Sequence, residues 1–490
     1  MKSFSRAGGI LLHISALPGR QGIGTLGKAA YDFIDFLAQA QIKLWQICPL
    51  GPTGFGDSPY QSFSAFAGNP LFIDLEKLRE KGLLNQAESQ SLNDLPTQKV
   101  DYGALIPRKK EILNLAFQRF VASSEFDKFC TENKVWLDDF AFFMALKEHF
   151  DGICWTDWPR EIKLREEEAR QRYAIELAER IQYFKFVQFT FFEQWQAVRA
   201  YANERNIKIL GDMPIFIAFD SADAWANKEI FYFDENCNPT LVAGVPPDYF
   251  SSTGQLWGNP LYNWEKLQED NFSWWKLRFF FAQQMYDSIR IDHFRGFVAY
   301  WAVPAAASTA EQGSWKAASG DELFQELARE LGELLIVAED LGVITAEVTA
   351  LRKKYGFPGM KVLQFAFQGG DQNPYLPHNY KKSFVAYTGT HDNDTTRGWF
   401  EKISIELKRR VCSYLNCKPT EICPAMLHAI WQSKADWAIA PLQDFLELGS
   451  EARFNTPGVA GGNWQWRLDS AQITPELTQR IRKLTIESKR

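Results

Sequence analysis

Four acidic residues stand where apolar, β-type runs of the sequence give way to loops. They are Asp212 after Ile209-Leu210-Gly211, Asp292 after Arg290-Ile291, Glu339 after Val337-Ala338, and Asp392 after Thr390-His391. A carboxyl group attacks as a nucleophile when ionised and donates a proton when neutral, so converging carboxyls suit cleavage of a glycosidic bond. In Ser288–Asp292 the two-residue alternation of a strand puts Arg290 on the same face as Asp292. There its charge favours the ionised carboxylate that a nucleophile needs. Glu339 closes the next run. Neighbouring strands lie about 4.8 Å apart, which suits the roughly 5–5.5 Å carboxyl separation of a retaining glycosidase. Each acid alone also fits a helix cap or a turn; four together with an inward arginine fit a site better. His293 and His391, each beside one of these acids, are expected to contact substrate.

The elements that must position these residues are legible as apolar runs. Eight occur: Gly9–Leu17, Lys43–Leu50, Lys208–Phe216, Ser288–Phe294, Leu334–Asp340, Met360–Phe367, Phe384–Asp392 and Asp436–Leu442. Amphipathic stretches such as Lys28–Ala40, Glu322–Gly332 and Thr345–Tyr355 separate them. Eight strand–helix repeats predict an α/β fold, a (β/α)8 TIM barrel, whose strands open their carboxyl ends on one face. Acids spread over residues 212–392 then converge there. Residues 1–490 are expected to form one catalytic barrel with two insertions. One, about 51–207, is largely helical; the other, about 220–275, is aromatic and loop-rich and is expected to line the substrate cleft. In the latter, Tyr249, Phe250 and Trp257 are candidates to stack on sugar rings.

Composition excludes several functions. A net charge of −6 provides no basic surplus for nucleic acid. No window of about 18 apolar residues occurs, so no membrane span is expected. Seven scattered cysteines and six widely spaced histidines support neither a disulfide framework nor a close-spaced metal site, so no metal or cofactor is expected. Reduced thiols fit a cytoplasmic chain. Nothing demands assembly, and a monomer suffices. Gly22-Ile23-Gly24-Thr25-Leu26-Gly27 matches a dinucleotide fingerprint, but the next run ends in Pro49-Leu50-Gly51-Pro52 without the acid that would bind a ribose. These glycines read as turn formers.

Taken in order, several strings resemble the amylomaltase or disproportionating-enzyme family, glycoside hydrolase family 77, distantly related to the α-amylases. They are Ser5–Leu17, Asp57-Ser58-Pro59-Tyr60 within Pro49–Pro70, Gly211–Phe216, Ala243–Tyr262, Arg290–Gly296, Ala338–Gly342, Gly389–Asp394 and Asn455–Arg467. The resemblance spans nearly the whole chain and implies a retaining 4-α-glucanotransferase acting on α-1,4-glucans and maltooligosaccharides. It implies Asp292 as nucleophile, Glu339 as acid and base, and Asp392 with His391 as the grip on sugar hydroxyls. It makes Arg290 the holder of the nucleophile and Asp212 an orienting or substrate-contacting acid. Tyr60 and Asn463 match family substrate contacts, and the loop Gly244–Tyr262 is implied to cover the cleft. A hydrolase of the α-amylase type shares the same covalent intermediate and is the alternative.

Overall fold

The computed structural model describes residues 5–247, 252–459 and 461–490. In chain order the strands are β1 (Ala7–Leu11), β2 (Leu44–Gln46), β3 (Lys208–Met213), β4 (Leu241–Val245), β5 (Gln255–Pro260) and β6 (Ser288–Ile291). There follow β7 (Ala299–Pro304), β8 (Ser314–Ala317), β9 (Ile336–Ala338), β10 (Gly359–Val362), β11 (Phe384–Tyr387) and β12 (Trp437–Pro441). Eight of these form one all-parallel sheet in the order β10-β11-β12-β1-β2-β3-β6-β9. Its outer strands meet where the Ala338 N–H donates to the Pro358 carbonyl at 2.8 Å, which rolls the sheet into a barrel. Helices including Lys28–Gln39, Ser273–Met285, Gly320–Leu331 and Ala346–Lys354 carry the chain between strands. This is the (β/α)8 TIM barrel that eight strand–helix repeats predict.

Barrel strands are covered on both faces, which is why they read as continuous apolar runs instead of alternating ones. Ile10, Leu11, Trp45, Ile209, Leu210, Ile291, Val337 and Ile439 are all fully buried. Each of the eight runs overlaps a strand; β1 and β10 begin just before their runs, at Ala7 and Gly359, and every strand ends before its run does. Gly9–Leu17 leaves the ladder after Leu11 and winds into a 3-10 turn at Ile14–Ala16; Phe384–Asp392 leaves it after Tyr387. The overhanging residues form the mouth of the barrel.

The glycines of the string 22–27, read from sequence as turn formers, are also sites of close packing. A Cβ on Gly24 would stand 1.9 Å from the Ile14 carbonyl, and one on Gly27 would stand 2.0 Å from the Asp74 carboxylate. An aspartate therefore lies against the start of the Lys28–Gln39 helix, where a pyrophosphate would have to bind.

Between β2 and β3 run a loop and a set of helices, among them Tyr102–Arg119, Lys134–His149 and Ala178–Glu204. Residues 220–275 are not simply loop: they contain β4 and β5, which join β7 and β8 in an antiparallel sheet of order β5-β4-β7-β8. Gly244, Gly258 and Pro260 interrupt the β pattern in the first two strands, and their partner β7 arrives only after the barrel strand β6.

Candidate active site

Register decides which acids meet. In the β3–β6 ladder Asp212 pairs with Arg290, and in the β6–β9 ladder Ile291 pairs with Ala338. Asp292 and Glu339 therefore each follow a paired position on adjacent strands. Their backbones stay pinned there: Asp292 N–H donates to Met213 C=O and Glu339 N–H to Ile291 C=O, both at 3.0 Å.

A single guanidinium organises one half of the site. Arg290 donates through Nη1 to both Asp212 oxygens, at 2.8 and 2.7 Å, and through Nη2 to Asp292 at 2.8 Å. The Tyr60 hydroxyl donates to Asp212 at 2.8 Å. Side-chain exposure is 4% for Arg290 and 1% for Asp212 but 32% for Asp292. Within this chain of charges only Asp292 opens to the cleft. Burial pushes the Asp212 carboxyl up against the pull of Arg290, and the two carboxylates keep Arg290 charged despite its own burial.

Glu339 has no cation of its own. Its Oε2 accepts the His293 N–H at 2.7 Å and its Oε1 the Leu341 N–H at 2.8 Å. His293 sits in the left-handed region at φ +51, a strained conformation for a non-glycine residue. Burial first, and then the negative charge of Asp292, raise the Glu339 carboxyl from the ordinary 4.5 to about 7, against Arg290 and the two backbone N–H groups. A carboxyl protonated near neutrality thus stands beside one held by a guanidinium. Such a contrast is what an acid and a nucleophile require of their surroundings.

The other half of the site is built by β11 and a late loop. His391 Nε2 lies 3.2 Å from Asp392 Oδ2, and Asn455 Nδ2 donates to Oδ1 at 2.6 Å. Arg453 donates to the Asp392 carbonyl at 2.6 Å. Burial alone would raise the Asp392 carboxyl, but His391 and Asn455 hold it well below its usual range; His391 is raised in turn. The Tyr60 ring stacks on His391 with centroids 5.1 Å apart, so this one residue touches both halves.

Other expected contacts divide. Trp257 stands edge-on to His293 at 4.9 Å, which brings the β5 strand against the residue that follows Asp292. Asn463 turns its amide inward on its own loop, accepting from Thr456 N–H at 2.9 Å and donating to Val459 C=O at 2.7 Å. Tyr249 and Phe250 lie outside the described residues. Not every strand-end acid belongs to the site: Asp340 turns away to bond Met360 N–H at 2.7 Å and Arg352 at 3.1 Å. Asn455 and Arg453 complete the site without being among the expected contacts. Their only signal was membership of, or nearness to, the string 455–467.

Comparison with known proteins identifies the family. The family profile described as 4-alpha-glucanotransferase matches residues 12–473. A 4-alpha-glucanotransferase of Clostridium butyricum is 48% identical over 97% of this chain and 99% of its own. One of Thermus thermophilus is also 48% identical, over 99% of each. Among solved structures, an amylomaltase from Streptococcus agalactiae in complex with acarbose superposes with a TM-score of 0.96 at 41% identity, covering 99% of both chains.

Proposed function

The chain belongs to the 4-alpha-glucanotransferase family, and from that membership we propose how its own residues move a segment of an α-1,4-glucan from one chain to another. Asp292, oriented by Arg290, attacks the anomeric carbon. Glu339 gives its proton to the glycosidic oxygen, and the piece beyond the cut leaves with a free 4-hydroxyl. A glucosyl ester on Asp292 remains. Glu339, now a carboxylate, takes the proton of an acceptor 4-hydroxyl, whose oxygen displaces Asp292 and restores both carboxyls to their starting states. Asp392, kept ionised by His391 and Asn455, holds sugar hydroxyls as positive charge develops at the ring. Asp212 acts through Arg290 as an orienting group. Tyr60, His293 and Trp257 line the path of the glucan, whereas Asn463 spends its amide on its own loop.

The observation that carries this scheme is the contrast between two neighbouring carboxyls, one buried and raised to about 7, the other bonded to Arg290. Transfer and hydrolysis share the covalent step and differ only in the acceptor. The antiparallel sheet bringing Trp257 onto His293 favours a sugar over water there. The seven cysteines are free thiols, which supports a cytoplasmic setting.

Maltotriose and purified protein test the proposal. Glucose and longer maltodextrins should accumulate while total reducing ends stay constant; a steady rise in reducing ends would mean hydrolysis. Asp292→Asn and Glu339→Gln should each abolish turnover in a folded protein. Turnover by either variant would overturn the assigned roles.

A further inference from the structure

The rim of the cleft carries an aromatic side chain that the proposed chemistry leaves unused. Trp315 lies on β8, the edge strand of the antiparallel sheet, and is 41% exposed. It is nevertheless held firmly. The Arg295 guanidinium lies 3.8 Å from its ring centre, and Trp301, its partner across the β7–β8 ladder, packs edge-on at 5.2 Å. Trp301 is itself fixed by donating its indole N–H to the Ala310 carbonyl at 2.8 Å. An indole held in this way loses little rotamer freedom when a ligand covers it.

Arg295 also ties Trp315 to both reacting carboxyls. It follows His293 by two residues and Asp292 by three. Its Nη1 donates to the carbonyl of Val343, in the segment that follows Glu339 and supplies the Leu341 N–H to that carboxyl. Val343, whose carbonyl Arg295 holds, is 71% exposed. A flat apolar ring and a guanidinium thus stand together on the rim between the ends of β6 and β9. A pyranose matches that pair: its C–H face is apolar and its edge carries hydroxyls that accept hydrogen bonds.

We propose that Trp315, propped by Arg295 and Trp301, is an outlying subsite for one glucosyl unit of an α-1,4-glucan, outside the sugars held by Asp292, Glu339 and Asp392. This rests on the glucanotransferase reading above. Only chains long enough to reach the rim gain from it, so its signature is a dependence on chain length.

The test compares kcat/KM for maltotriose and for maltoheptaose in wild type, Trp315→Ala and Trp315→Phe. In Trp315→Ala the ratio of maltoheptaose to maltotriose should fall about tenfold, mainly through KM, the size expected from losing a buried aromatic contact. Trp315→Phe, which keeps a ring and protects the fold, should lose about threefold. It decides the matter if the alanine variant does not fold. An unchanged ratio, or an equal fall with both sugars, would overturn the subsite and leave Trp315 as a prop for Arg295. A wild type that does not disproportionate maltotriose would sink the activity itself, an outcome distinct from either.

Discussion

Raising the pH through neutrality titrates the Glu339 carboxyl, held at about 7 by burial and by the charge of Asp292, and should remove the proton that the first step needs. An ordinary glutamate at 4.5 would hold its proton at pH 7 in about one molecule in 300, whereas a group at 7 holds it in about half. The environment of Glu339 thus raises the active form at neutrality by on the order of 150-fold, equivalent to about 3 kcal/mol. The assay is kcat/KM for maltotriose between pH 4 and 9, followed by glucose release. The expected profile has a basic limb that bends near 7 and then falls tenfold per pH unit. With α-maltosyl fluoride as donor the limb should vanish, because fluoride leaves without needing that proton. A bend near 4.5, no fall below pH 9, or the same limb with both donors would refute the reasoning.

The same shift predicts a stability effect independent of turnover. The folded state keeps the Glu339 proton to a higher pH than the unfolded chain does. Its contribution is therefore fully present below about 4.5 and is lost as pH rises through about 7. Glu339→Gln does not titrate. The stability of wild type relative to that variant should therefore decline by up to about 3 kcal/mol between pH 4.5 and 8 in denaturant titrations.

Tyr60→Phe removes the hydroxyl that donates to buried Asp212, and leaving that acceptor short should cost about 1–3 kcal/mol. Steady-state kinetics should show a 10- to 100-fold loss, chiefly in kcat, with the ring contact to His391 kept. Asn455→Ala withdraws the donor from Asp392 Oδ1, and kcat should drop about tenfold, while nuclear magnetic resonance titration finds the Asp392 carboxyl moved up toward the ordinary range. Gly211→Ala would put a Cβ 2.3 Å from the Tyr286 ring. That overpacking should lower stability by about 1–3 kcal/mol in thermal melts.

The barrel was legible because its strands are buried on both sides, so each run announced itself by apolar content alone. Asp212, Arg290 and Asp292 were legible because strand alternation fixes which side chains share a face, and the β3–β6 register then sets Asp212 opposite Arg290. The antiparallel sheet was not legible. Gly244, Gly258 and Pro260 blur the pattern of β4 and β5, and their pairing depends on β7, beyond a barrel strand. Nor was the grip of Asn455 on Asp392, since the two meet only through the closed fold and neither lies in a periodic element. The left-handed backbone of His293, which aims its N–H at Glu339, leaves no mark on side-chain pattern at all.

How two neighbouring carboxyls come to differ follows from one rung of the ladder. Arg290 and Val337 are register partners on β6 and β9, each two residues before its carboxyl. Asp292 therefore stands over a cation and Glu339 over a fully buried hydrocarbon. Arg290→Lys tests whether the fork of the guanidinium matters or only its charge. An ammonium is a point donor and cannot serve Asp212 and Asp292 at the angles that Nη1 and Nη2 do. The fully buried Asp212 should keep the lysine, since an unpaired charge costs most there, and Asp292 should be released. The fold should survive while kcat falls about 100-fold through loss of aim in the nucleophile. If Arg290→Lys keeps kcat within about threefold of wild type, charge alone suffices, and the contrast between the carboxyls does not arise from that rung.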